Sequence, residues 1–141
     1  MTEHLPIVVS GPALPETLRV LRGVAASVGS GADLPFDRVE ELRIAVDEAA
    51  TLLLAAGAAG SISLEMDAGP DGGTLHLRLR SDGEVRGWPG DRERSWGWRV
   101  LSELAGEAAL SLRGGCPEVT FTWPVAGVNG VVRDGRGSPG G

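Results

Sequence analysis

The chain has 141 residues and a formal charge of −6, from 13 basic and 19 acidic side chains; all the basic ones are Arg, and Lys, Tyr and Gln are absent. With no Lys there is neither a Walker-type phosphate lysine nor a Schiff-base enzyme, and an acidic chain is a poor duplex binder, so no direct nucleic-acid contact is expected. No apolar run reaches the roughly 20 residues of a membrane span, and the single Cys116 allows neither an internal disulfide nor a Cys-based zinc cage, which makes the cytosol the expected compartment.

The length predicts one domain over 1–125. The stretch 126–141 holds six glycines and no periodicity, and reads as a flexible Gly-rich tail. Ile7-Val8-Val9 predicts a short edge strand, broken by Gly11-Pro12. Pro15-Glu16 opens a helix whose apolar stripe is Leu18, Leu21, Val24, Ala25 and Val28, and Gly29-Ser30-Gly31 ends it. A second helix runs from about Phe36 to Ala56. Val39, Leu42, Val46, Ala49, Leu53 and Ala56 recur at threes and fours, and Ile44, Leu52 and Leu54 widen the apolar surface, so burial on more than one side is predicted.

Two alternating runs, Ile62/Leu64/Met66 and Leu75/Leu77/Leu79, flank the turn Ala68–Gly73 and predict a hairpin. Ser81 to Arg94 reads as a polar loop. A third helix is predicted over Trp98 to about Ala105, then a strand over Ala108–Leu112. A final strand carries Val119, Phe121 and Trp123 and stops at Pro124. This order predicts an α+β fold with a mostly antiparallel sheet and helices on one face; His76, Arg78 and Arg80 suit the wet face.

Residue by residue, the ordinary readings stand beside sharper ones. Glu48 fits an ordinary helix-surface carboxylate, and Asp82-Gly83 a common turn. His76 reads as solvated and Cys116 as an inert thiol. Trp88, Trp96 and Trp98 stand out in an aromatic-poor chain; each can pack in the core or meet a partner.

The stretch Leu42-Arg-Ile-Ala-Val-Asp-Glu-Ala-Ala-Thr51 resembles the signature helix of the anti-sigma regulatory factors, serine-protein kinases of the histidine-kinase-like (GHKL) ATPase superfamily. Ser95-Trp-Gly-Trp-Arg-Val-Leu-Ser-Glu-Leu-Ala-Gly-Glu-Ala108 looks like that family's second glycine box and following helix. The variant forms of both motifs look most like those of actinobacterial anti-sigma-F-type factors. The resemblance implies a two-layer α/β sandwich of the Bergerat type with three helices on one face of the sheet.

It also implies roles. Glu48 matches the base of phosphoryl transfer. The next turn should bring an Asn that holds Mg²⁺, but that position is Leu52, so no metal ligand is expected. Asp82, Gly83 and Gly97 match remnants of a nucleotide site, with Ser81, Val85 and Ser95 at positions where the family has Asp, Gly and Gly. Arg22, with Arg19 beside it, aligns with a first-helix Arg used in partner binding, and Trp88 and Trp96 are further candidates for partner contact.

By resemblance, then, the chain is an anti-sigma factor that sequesters an alternative sigma factor, is released by a STAS-type anti-anti-sigma partner, and pairs as a homodimer. Its kinase chemistry is lost and no cofactor is expected. The alternatives are an active ATP-dependent serine kinase acting on the STAS protein, or an orphan interaction protein of the same fold; weak residual ATP binding stays open in either case.

Overall fold

The structure, a computed structural model, describes residues 6–70 and 72–125; the Gly-rich stretch 126–141 lies outside them. Strand β1 (Ile7–Pro12) is followed by helices α1 (Pro15–Gly31) and α2 (Phe36–Ala55). The hairpin β2 (Ser61–Ala68) and β3 (Thr74–Ser81) comes next, then helix α3 (Trp96–Leu104) and strands β4 (Ala108–Arg113) and β5 (Cys116–Pro124). The five strands form one sheet in the order β1-β2-β3-β5-β4, every neighbouring pair antiparallel.

Alternation decides which side of the sheet is dry. Ile62, Leu64 and Met66 of β2 share a face with Leu75, Leu77 and Leu79 of β3 and Val119, Phe121 and Trp123 of β5, and all nine are buried. Register places Leu64 opposite Leu79 and Leu79 opposite Val119, so the apolar rows run straight across three strands. The helices cover this face. Leu21 and Ala25 of α1, Leu42, Ala45, Val46, Ala49 and Leu53 of α2, and Leu101 of α3 complete the core. Gly29 sits where α1 and α2 approach; a β-carbon there would lie 3.2 Å from Leu42 Cδ2. The opposite face carries Glu65, Asp67, His76, Arg78, Thr120 and Thr122, which line an open cleft.

Four expectations need correction. First, β1 does not stop before Gly11-Pro12: it pairs as far as Pro12 with Ser61. An edge strand tolerates Pro because one row of its N–H groups faces no neighbour. Second, α3 begins at Trp96 rather than Trp98, because the Ser95 hydroxyl caps it by accepting from the Trp98 N–H at 3.2 Å. Third, the second apolar set of α2 is only partly buried: Leu52 is in the core, whereas Ile44 is 45% exposed. Fourth, the loop from Ser81 to Arg94 holds a single 3₁₀ turn, Arg92–Arg94, that leads into α3.

Candidate functional site

Helix α2 presents Glu48 and Leu52 one turn apart, hence on one face. Helix α3 packs beside them. A β-carbon built on Gly97 would stand 2.8 Å from Glu48 Oε1 and 3.9 Å from Leu52 Cδ2. Glu48, Leu52 and Gly97, distant in sequence, therefore meet where α2 and α3 touch. Glycine at 97 lets the α3 backbone come this close. The Glu48 side chain has no hydrogen bond or ion pair among the described residues, and its carboxyl is raised from its ordinary value, first by burial and then by the neighbouring Asp47 carboxylate.

The end of β3 is organised differently. Ser81 continues the inward row of Leu75, Leu77 and Leu79 and is fully buried, its hydroxyl donating to the Gly83 carbonyl at 3.2 Å. Asp82 points the other way and is exposed. Its Oδ1 accepts from the Ser61 N–H at 2.8 Å, and this bond is the main reason its carboxyl titrates below the ordinary value. A β-carbon on Gly60, whose φ is +78°, would collide with that carboxylate, and one on Gly83 would lie 2.9 Å from the Ala59 carbonyl oxygen. Asp82 and Gly83 thus brace the turn that enters β2, which accords with their reading as a turn.

The segment between β3 and α3 is tied to the β4–β5 hairpin. Trp88 is 5% exposed and its Nε1 donates to the Ser111 carbonyl at 2.8 Å. The Arg92 guanidinium lies 5.7 Å from the Trp88 ring centroid. Trp88 is therefore a core residue here, and its expected place in a partner surface is corrected: this indole has found both an apolar pocket and a hydrogen-bond acceptor within the chain. Trp96 is 74% exposed. Trp98 is half-buried against the core.

On α1, Arg22 lies 3.6 Å from Asp47 of α2, both side chains about one-third exposed. Asp47 was not singled out in the sequence, since nothing local marks a contact between two helices. Arg22 is thus already engaged within the chain, while Arg19 is exposed and makes no ion pair among the described residues. A shallow cleft of about 230 Å³ is lined by Arg22, Glu40, Arg43, Ile44, Asp47 and Glu48.

The donor set at the α2–α3 junction does not fit a metal-bound triphosphate. Leu52 is 6% exposed and aliphatic, and offers no oxygen where a hard cation needs one. No cluster of three metal-ligating side chains occurs among the described residues. Val85, at the position of a second glycine, is half-buried against the core.

A sandwich of three helices on a five-stranded antiparallel sheet, with a Glu-bearing central helix facing a glycine at the start of the next, defines a histidine-kinase-like ATPase fold. The family model for the histidine kinase-like ATPase domain matches residues 11–123, and the chain belongs to that family. It is 31% identical over 105 residues to the anti-sigma-F factor RsbW of two Mycobacterium tuberculosis strains, CDC 1551 / Oshkosh and ATCC 25618 / H37Rv. The match covers 74% of this chain and 60% of each relative, so the chain corresponds to part of their length. The crystal structure of the RsbU and RsbW domains of Rv1364c from Mycobacterium tuberculosis superposes with a TM-score of 0.63 at 14% identity, over 86% of this chain and 32% of that one. That likeness is one of fold.

No helix among the described residues is long and apolar enough to cross a membrane.

Proposed function

We propose that this protein is an anti-sigma factor that holds an alternative sigma factor by surface contact alone, in the cytosol, without phosphoryl transfer. The anti-sigma part of the reading rests on the similarity to RsbW. The loss of chemistry rests on Leu52: a buried aliphatic side chain stands one turn from Glu48 where a metal-binding oxygen is required. A base with neither metal nor phosphate cradle has no proton to move. Release by a STAS-type anti-anti-sigma protein, through competition rather than phosphorylation, and pairing as a homodimer are parts of the same proposal.

The contrary reading, an active serine kinase acting on the STAS partner, is favoured by one observation: Glu48 still faces Gly97 across the α2–α3 junction. Calorimetry separates the two. The expected result is no Mg-ATP affinity tighter than millimolar, no phosphate transferred to a STAS protein, and a stoichiometric complex with a sigma factor in the absence of nucleotide. Micromolar Mg-ATP binding overturns the loss of chemistry. Failure to bind any sigma factor encoded beside this gene overturns the anti-sigma role. A monomer mass by light scattering at tens of micromolar rejects the dimer.

A further inference from the structure

The cleft between α1 and α2 contains an imbalance. Three carboxylates line it, Glu40, Asp47 and Glu48, with two guanidinium groups, Arg22 and Arg43. Asp47 lies 3.6 Å from Arg22, and Glu40 lies 3.8 Å from Arg43. The Glu48 carboxylate is left over: it makes no hydrogen bond or ion pair among the described residues and is partly withdrawn from water. A carboxylate partly withdrawn from water and left without a partner gains from a salt bridge, modestly because most of it stays solvated.

The surroundings of Glu48 are also unusual. Ile44, one turn before it on α2 and in the same cleft, is 45% exposed. Trp96 is 74% exposed and directly precedes Gly97, whose backbone meets the Glu48 carboxylate. Two of the large apolar side chains that this protein leaves in water thus belong to the helical turns that flank its unpaired carboxylate. An isolated exposed apolar side chain needs no explanation, but apolar groups around an unpaired charge form the pattern of a binding spot.

We propose that the α2–α3 junction is a docking site for a basic, apolar segment of a partner protein, in which an Arg pairs with Glu48 while its stem and its neighbouring Leu or Ile side chains lie on Ile44 and Trp96. The occupant is set by local charge: with Asp47 beside Arg22 and Glu40 beside Arg43, the group left over is anionic, and the exposed indole face attracts a guanidinium. Glu48, whose counterpart in the kinases is a base, here serves recognition. This inference deepens the anti-sigma reading by naming the chemistry of the partner segment, and its first test uses a synthetic peptide in place of a sigma factor.

The probe is a short amphipathic peptide of Arg and Leu, with a counterpart in which Glu replaces every Arg. Binding is measured by calorimetry on the full chain, and is located by the indole N–H resonance of Trp96 in the parent and Glu48→Gln proteins. The expected result is a saturable shift with the Arg peptide, weakened by added salt, and none with the Glu peptide. Glu48→Gln and Trp96→Ala should each reduce affinity at least tenfold, with Glu48→Gln also flattening the salt dependence. Both sites are partly or largely exposed, so both variants should keep the parent melting temperature within a few degrees. Equal binding by Glu48→Gln, preference for the Glu peptide, or a shift confined to other resonances overturns the proposal. Concentration-dependent shifts without any peptide also overturn it, in favour of a second copy as the occupant. A sigma factor that binds normally to Glu48→Gln leaves the anti-sigma reading intact and removes only this site.

Discussion

The carboxylate of Glu48 lies against the backbone of Gly97, so close that a β-carbon at 97 would stand 2.8 Å from Oε1. The contact joins α2 to α3 and withdraws Glu48 partly from water without giving it a partner, and its carboxyl is raised above its ordinary value of 4.5. A carboxyl raised in the folded state opposes folding once it ionises. The penalty is absent below pH 4.5 and grows as pH rises from there through the raised value. Glu48→Gln should therefore match the parent in melting temperature below that pH and exceed it at neutral pH. A pH-independent difference between the two, measured by thermal scans across the acid range, contradicts this account.

Gly83→Ala should destabilise the fold. The new methyl would meet the Ala59 carbonyl oxygen at 2.9 Å, and a backbone atom cannot swing aside as a side-chain tip can. Overpacking of this kind costs about 1–3 kcal/mol. Urea unfolding measures it, and a variant with the midpoint of the parent would mean that the turn entering β2 is looser than described.

Gly97→Ala makes a contrasting case. Its clash is with the end of the flexible Glu48 side chain, and in the first turn of α3 Ala gains less over Gly than the roughly 1 kcal/mol of a helix interior. The expected outcome is unchanged or slightly raised stability with a displaced Glu48, visible as a changed pH dependence of the melting temperature. A loss above about 2 kcal/mol would show that Glu48 cannot move.

Arg22→Ala tests the first helix. The Arg22–Asp47 pair is about one-third exposed and weakly spaced at 3.6 Å, so its loss should cost less than about 1 kcal/mol of stability. If Arg22 leaves Asp47 to anchor a sigma factor, truncation should cost about 2 kcal/mol of binding, about thirtyfold in affinity. A folded variant with unchanged affinity places the contact elsewhere.

Trp88→Phe should keep the apolar volume but remove the Nε1 donor to the Ser111 carbonyl. Leaving that acceptor unpaired under a ring costs about 1–3 kcal/mol. Because the segment around Trp88 leads into α3, the loss should also broaden the Trp96 resonances. A stability equal to that of the parent would mean that water replaces the indole.

What the sequence alone determined is what short-range periodicity encodes. The threes and fours from Val39 to Leu53 place α2, because a helix with one dry side must repeat that way. The alternation of Leu75, Leu77 and Leu79 against Ile62, Leu64 and Met66 sets the hairpin and its inward face. The turn of helix from Glu48 to Leu52 puts the family's base beside the missing metal ligand before any contact is known, and the family itself was legible in those residues. The tertiary structure decided the rest. Trp88 and Trp96 are alike in type and lie in one segment, yet one is 5% exposed and the other 74%. The Trp88 ring joins the core, and Ser111, 23 positions along the chain, supplies the acceptor for its Nε1. Asp82 became a brace because Ser61, 21 positions earlier, turns its N–H toward it. Such contacts close long loops and leave no local pattern, so their partners emerge only when the sheet brings the strands into register.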